Sequence, residues 1–247
     1  MSRTTLEICI DSVAGAEAAI AGGADRLELC GALSVGGLTP SAGLIAEVVP
    51  LAHAAGVRVH AMVRPRAGDF AYAANEVGTV MADGTALIDA GADGLVFGAV
   101  RDRRLDHDVL APWVAAMLAA RADIDLTLHR AVDLLADPVA AVEQAIALGF
   151  RRILTSGGAT RAIEGADVIR AMHERAAGRI VILPGSGVRP DNVAALLAKT
   201  GAGEVHASAS VAVVQDDPRV VALGFAGPGL ARTDRATVQA LRDAIDA

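Results

Sequence analysis

Gly23-Ala24-Asp25-Arg26-Leu27-Glu28-Leu29 returns downstream as Gly91-Ala92-Asp93-Gly94-Leu95-Val96-Phe97. Weaker copies follow at Gly149-Phe150-Arg151-Arg152-Ile153-Leu154-Thr155 and Gly201-Ala202-Gly203-Glu204-Val205-His206-Ala207. Each copy closes an Ala-rich helical stretch with glycine and then runs into apolar residues, the pattern of a helix stop before a buried strand. Between the copies lie further strand-like runs at Leu6–Ile10, Val57–Val63, Leu126–His129 and Ile180–Leu183. Eight strands alternating with helices predict an α/β fold, a single (β/α)8 TIM barrel over residues 1–247. Such barrels carry their chemistry at the C-terminal ends of the strands, so the fold says where to look for a site and not what it does.

Working outward, the helices are expected near 13–22, 40–54, 73–90, 106–121, 137–147, 160–176, 190–199 and 234–246. Thr39-Pro40-Ser41, Asp137-Pro138 and Arg189-Pro190-Asp191 supply start signals. Two long loops stand out at the predicted C-terminal face, Arg64–Tyr72 and Ser208–Gly229. The chain of 247 residues is 53% hydrophobic but only 2% aromatic, so its core rests on Ala, Val, Leu and Ile, which suits parallel strands buried on both faces. A net charge of −7 with no basic run argues against nucleic acid. No apolar run reaches the roughly 18 residues of a membrane span, so a cytoplasmic protein with two free thiols is expected.

Strand parity makes the sequence specific. Leu6, Ile8 and Ile10 share one face of the first strand, and Glu7 and Cys9 the other. The same division sets Leu27 and Leu29 against Glu28 and Cys30, and Val59, Ala61 and Val63 against His60, Met62 and Arg64. Leu126 and Leu128 oppose Thr127 and His129; Val205 and Ala207 oppose Glu204, His206 and Ser208. The apolar set must face the helices, which turns Glu7, Glu28, His60, Arg64, His129 and His206 toward the barrel axis. Buried charge of this kind is costly unless it is paired or meets a ligand. One arrangement that meets the cost is an internal network with Glu7 and Glu28 neutralised by Arg64; a functional pocket is the other.

Several stretches resemble the CutC family of copper-homeostasis proteins. They are Leu6-Glu7-Ile8-Cys9 with Asp11-Ser12, the first repeat through Cys30, Gly36-Gly37-Leu38-Thr39-Pro40-Ser41, and Arg64-Pro65-Arg66-Ala67-Gly68-Asp69-Phe70-Ala71-Tyr72. His129-Arg130-Ala131-Val132-Asp133, Leu154-Thr155-Ser156-Gly157 and Glu204-Val205-His206-Ala207-Ser208-Ala209 complete the series, in order along the chain. The resemblance implies a (β/α)8 barrel, a cytoplasmic location and a link to copper, with some members binding Cu(I) through cysteines. Ala71 departs from the pattern where relatives carry cysteine, as do Ala67 and Val132 where they carry glycine and phenylalanine.

Two chemistries follow. Cu(I) favours soft thiolates at low coordination number. Cys9 and Cys30 at equivalent positions of adjacent strands would bring two thiols about 5 Å apart, with Met62 or a histidine as third ligand. The alternative is an enzyme for a small phosphorylated or carboxylated anion. Arg64 and Arg66 would clamp the anion, Asp69 would fix them, and Glu7, Glu28, His129 and His206 would move protons. Ser156-Gly157 after the sixth strand, Gly185-Ser186-Gly187 after the seventh and Ser208 after the eighth would add an anion cradle. The only lysine, Lys199, falls on a helix, which excludes Schiff-base chemistry. A divalent metal on the carboxylates and histidines stays open, as does a homo-oligomer paired through the outer helices.

Overall fold

The computed structural model describes residues 3–225 and 230–247; the end of the loop Ser208–Gly229, at 226–229, lies outside the described residues. Eight parallel strands form the sheet: β1 (Thr5–Ile10), β2 (Arg26–Leu29), β3 (Arg58–Met62), β4 (Gly94–Phe97), β5 (Asp125–Leu128), β6 (Arg152–Thr155), β7 (Val181–Pro184) and β8 (Glu204–Ala207). Their order is β8-β1-β2-β3-β4-β5-β6-β7, and β7 comes back beside β8 to close the barrel nearly completely. All eight strands expected from the repeats and runs are present.

The outer ring is α1 (Val13–Ala21), α2 (Ala42–Ala54), α3 (Ala74–Asp89), α4 (His107–Ala120), α5 (Ala141–Leu148), α6 (Ala166–Ala176), α7 (Val193–Thr200) and α8 (Arg235–Asp246). Ser12, Ser41 and Asp234 cap α1, α2 and α8 by accepting the backbone N–H of Gly15, Leu44 and Thr237. Three helices start later than expected, at Ala141, Ala166 and Val193. The reason before α6 is a backbone crossing: a side chain at Gly165 would strike the Ser156 carbonyl, so 160–165 is held as a turn against the loop after β6.

Strand parity holds around the barrel. Leu6, Ile8, Leu27, Leu29, Val59, Ala61, Leu95, Leu126, Leu128 and Val205 are fully buried against the helices. Trp113 of α4 packs on Phe97 with ring centroids 4.5 Å apart, while its indole N–H donates to the Val80 carbonyl. Two antiparallel hairpins decorate the C-terminal face. One joins Val100–Arg101 to Arg104–Leu105, and the other joins Ser210–Ala212 to Ala231–Thr233. The second brings the far end of the long loop over the barrel mouth. No helix among the described residues is long and apolar enough to cross a membrane.

Candidate functional site

The inward set stacks in two storeys. At the base, Arg26 of β2 bonds Glu7 of β1 and, at 2.6 Å, Glu204 of β8. Arg152 of β6 meets the same Glu204 at 2.7 Å and Asp125 of β5 at 3.0 Å. This corrects the expected network: Glu7 is neutralised by Arg26, and Arg64 stands elsewhere. Burial alone would raise the carboxyl of Glu204, but Arg152 and Arg26 hold it below its ordinary range. His60 completes the base, fully buried with neither ring nitrogen hydrogen-bonded, and burial keeps it neutral. Gly94 makes its room, since a Cβ there would lie 2.7 Å from the imidazole.

The upper storey is the reactive one. Glu7 reaches up to His206, accepting from Nδ1 at 2.8 Å. The other ring nitrogen of His206 faces Glu28 Oε2 at 3.9 Å and the sulfur of Cys9. The Cys9, Glu28 and His206 donor atoms all lie within 4.8 Å of one another. Burial pulls Glu7 upward, but Arg26 and His206 overcome it and hold the carboxyl well below 4.5. Burial raises Glu28, and His206 and the more distant Arg26 offset this only in part. For His206 burial is outweighed by Glu28, Cys9 and Glu7, leaving the imidazole well above 6.5. The site therefore separates two carboxyls on neighbouring strands, one held ionised and one pushed toward the neutral form.

The thiols are not at equivalent positions. Register pairs Cys9 with Glu28, and Cys30 sits one pleat beyond, donating to Glu28 Oε2 at 3.6 Å. The stagger that closes a barrel displaces each strand along its neighbour, so equal places in two motifs do not become equal heights. Burial and the adjoining Glu28 push the Cys30 thiol well above 9.0, so it stays protonated. Its sulfur packs with Met62 and Val96.

Above this cluster opens a cavity of about 730 Å³. Cys9, Glu28, Met62, Arg64, His129 and His206 line it from below; Ser186, Gly187 and Ser208 line it from the loops. Arg130, Arg189 and Arg232 join Arg64 in its wall beside Asp11, Arg130 paired with Asp133 and Arg189 with Asp191. Arg64 is not a free clamp: it donates to the carbonyls of Val35, Gly37 and Gly68, while its Nε is buried without a partner. Ser186 Oγ donates to the Thr160 carbonyl at 2.8 Å.

Several expected site residues are placed differently. Arg66 pairs with Glu76 and Asp69 outside the cavity, and Asp69 is exposed there with it. Ser156 and Gly157 form a turn whose cradle is filled from within: Asp133 accepts from Ser156 N, Gly158 N and the Thr155 hydroxyl. Arg130 ties in by bonding both Asp133 and Ser156. Gly185 spends its N–H on the Thr155 carbonyl; its small size leaves space for His206, 3.2 Å from where a Cβ would stand. His129 accepts the Ala131 N–H at Nδ1, and burial lowers it to about 3, so it stays neutral and is no proton acceptor at pH 7. Strand parity also turns Arg26, Arg152 and Asp125 inward, a weak signal in sequence because each stands at the first residue of its strand, where the alternation is only beginning.

Fold and site together define a (β/α)8-barrel protein with a charged, thiol-containing pocket at the C-terminal face. The CutC family model matches residues 4–211, and the chain belongs to the CutC family. CutC family proteins of Rhizobium meliloti (strain 1021) and Agrobacterium fabrum are 48% and 49% identical to it. The first alignment covers 100% of this chain and 98% of the relative; the second covers 98% and 94%. The solved CutC from Streptococcus agalactiae superposes with a TM-score of 0.77 at 31% identity, covering 83% of this chain and 98% of its own.

Proposed function

We propose that this CutC-family protein is a cytoplasmic barrel enzyme for a small anionic, phosphorylated or carboxylated, substrate. One observation carries the reading: Cys9, Glu28 and His206 converge at the floor of a roughly 730 Å³ cavity with four arginines in its wall. A cavity of this size holds a small metabolite, and Arg64, Arg130, Arg189 and Arg232 favour a negative one. A buried carboxyl raised by burial beside an imidazolium provides proton transfer at the cavity floor. The test is calorimetric titration with inorganic phosphate and with small carboxylates and phosphate esters. Binding that weakens at least tenfold in Arg189→Ala/Arg232→Ala supports the reading; no binding by any of them, or equal binding by the variant, overturns it.

Copper as cargo is the second reading, favoured by the sulfurs of Cys9, Cys30 and Met62 on three consecutive strands and by the copper-homeostasis name of the solved relative. Against it stands the protonated Cys30 thiol, whose hydrogen a Cu(I) ion must displace from Glu28. Anaerobic Cu(I) competition against a tight chelator, with wild type and Cys9→Ser/Cys30→Ser, separates the two. Tight copper lost in the variant supports the cargo reading; equal competition by both proteins removes it.

A further inference from the structure

We infer that Cys9 Sγ, Glu28 and His206 Nε2 form a site for a divalent cation of the zinc class, open on its fourth side to the cavity. The inference deepens the enzyme reading and rests on it only for the identity of what occupies that open side.

Spacing is the first support. His206 Nε2 and Glu28 Oε2 are 3.9 Å apart and no donor pair in the trio exceeds 4.8 Å. The 3.9 Å between His206 Nε2 and Glu28 Oε2 is too long for a good hydrogen bond, which ends near 3.2 Å. The separations suit ligands around one ion: bonds of about 2.0–2.3 Å in a tetrahedron place ligand atoms roughly 3.5 Å from each other. Small side-chain rotations close the remaining difference.

The second support is an unmet demand. Glu28 is 3% exposed, and its Oε1 is buried with no hydrogen-bond partner. A buried carboxyl oxygen without a partner costs free energy until a donor or a cation meets it. The third is the mounting of His206. Its Nδ1 is engaged by Glu7 at 2.8 Å, and Glu7 is itself held by Arg26, so Nε2 is left facing the trio. A carboxylate behind the imidazole is how histidine ligands are oriented and made more basic.

The ligands come from three adjacent strands, with Cys9 of β1 opposite Glu28 of β2 and His206 of β8 one pleat below, opposite Glu7, so they are fixed by the sheet rather than by loops. The donor set selects among ions. One sulfur, one nitrogen and one oxygen are too mixed for Cu(I), which favours sulfur alone, and too soft for Mg²⁺ or Ca²⁺. Zn²⁺ takes all three donor types, and three protein ligands with one open position is its catalytic arrangement. Charge balances as well: Cys9 as thiolate and Glu28 as carboxylate offset the two positive charges, and the protons of the thiol, of the Glu28 carboxyl and of His206 Nε2 leave to solvent as the ion enters.

Cobalt is the probe, because a Co²⁺–thiolate bond gives a near-ultraviolet charge-transfer band that Zn²⁺ then bleaches. Titrating the metal-free protein with Co²⁺ should give one equivalent and that band in wild type and in Cys30→Ala. Cys9→Ser should lose the band, and His206→Gln and Glu28→Gln should weaken Co²⁺ at least tenfold, with circular dichroism confirming folded proteins. Glu7→Gln should keep the band and weaken binding by about 10–100-fold, as removal of an orienting partner does. A band that survives Cys9→Ser, or no saturable Co²⁺ binding by wild type, overturns the inference. Phosphate titration of the same metal-free samples keeps the outcomes apart: phosphate binding without Co²⁺ binding sinks the cation site alone, and the reverse sinks the anion pocket alone.

Discussion

Replacing Arg26 by methionine should destabilise the protein by about 3 kcal/mol at neutral pH, within the range of about 3–5 kcal/mol for removing one partner of a buried ion pair. The magnitude follows from what the guanidinium leaves behind. Arg26 is 4% exposed and serves two carboxylates, Glu7 and Glu204. Glu204 keeps two bonds from Arg152, at 2.7 and 3.1 Å, and loses little. Glu7 is 1% exposed and keeps only His206 at 2.8 Å, so the cost sits almost wholly on it and falls at the low end of the range. The assay is urea unfolding followed by fluorescence of the single tryptophan, Trp113, which is buried; urea leaves the ion pairs unscreened. The pH dependence has a definite sign. Arg26 holds the folded-state pKa of Glu7 below its unfolded value, so this contribution is complete above the ordinary carboxylate pKa of about 4.3. It is lost as pH falls through the folded value, so wild type and variant should converge in acid. Glu7→Gln added to Arg26→Met should recover most of the loss, because no bare charge then remains. A single-variant cost under about 1 kcal/mol, or a double variant costing the sum of the singles, would refute the reasoning.

Gly94→Ala should cost about 1–3 kcal/mol by overpacking, since its Cβ would stand 2.7 Å from both the Asp125 carbonyl and the His60 ring; the readout is the same urea midpoint. His129→Phe should make the protein less sensitive to acid. Burial lowers His129 to about 3 while the unfolded imidazole titrates near 6.5, so wild type loses stability from this group as pH falls between those values and the variant does not. Thermal midpoints at pH 7 and pH 4.5 check this, and an unchanged difference between the two proteins would count against it. Asp133→Ala should lose about 1–3 kcal/mol and loosen the turn at Ser156–Gly158, because two backbone N–H groups and the Thr155 hydroxyl lose their acceptor. Hydrogen exchange at Ser156 and Gly158 should rise in that variant; unchanged protection would show that Asp133 does not organise the loop.

The chain's own order of residues determined the barrel and the inward face of its strands. Both signals are local: a glycine stop before each strand of the repeat, and a period of two that puts Leu6 and Ile8 on one side and Glu7 and Cys9 on the other. Glu7, Glu28, His60, Arg64, His129 and His206 all lie buried inside, as that period requires. Partners were another matter. Whether Glu7 meets Arg26 or Arg64, and whether Cys9 stands opposite Cys30 or Glu28, depends on how far each strand slides along its neighbour when the sheet closes. That stagger joins residues as distant in sequence as Glu7 and His206, and no local period encodes it. The same holds for the loops. Ser156-Gly157 reads as an anion cradle until Asp133, arriving from the loop after the preceding strand, is seen to fill it. The sequence therefore settled which side chains enter the barrel, through the two-residue pleat; only the tertiary structure decided which of them touch, because contact across strands is fixed by shear and closure.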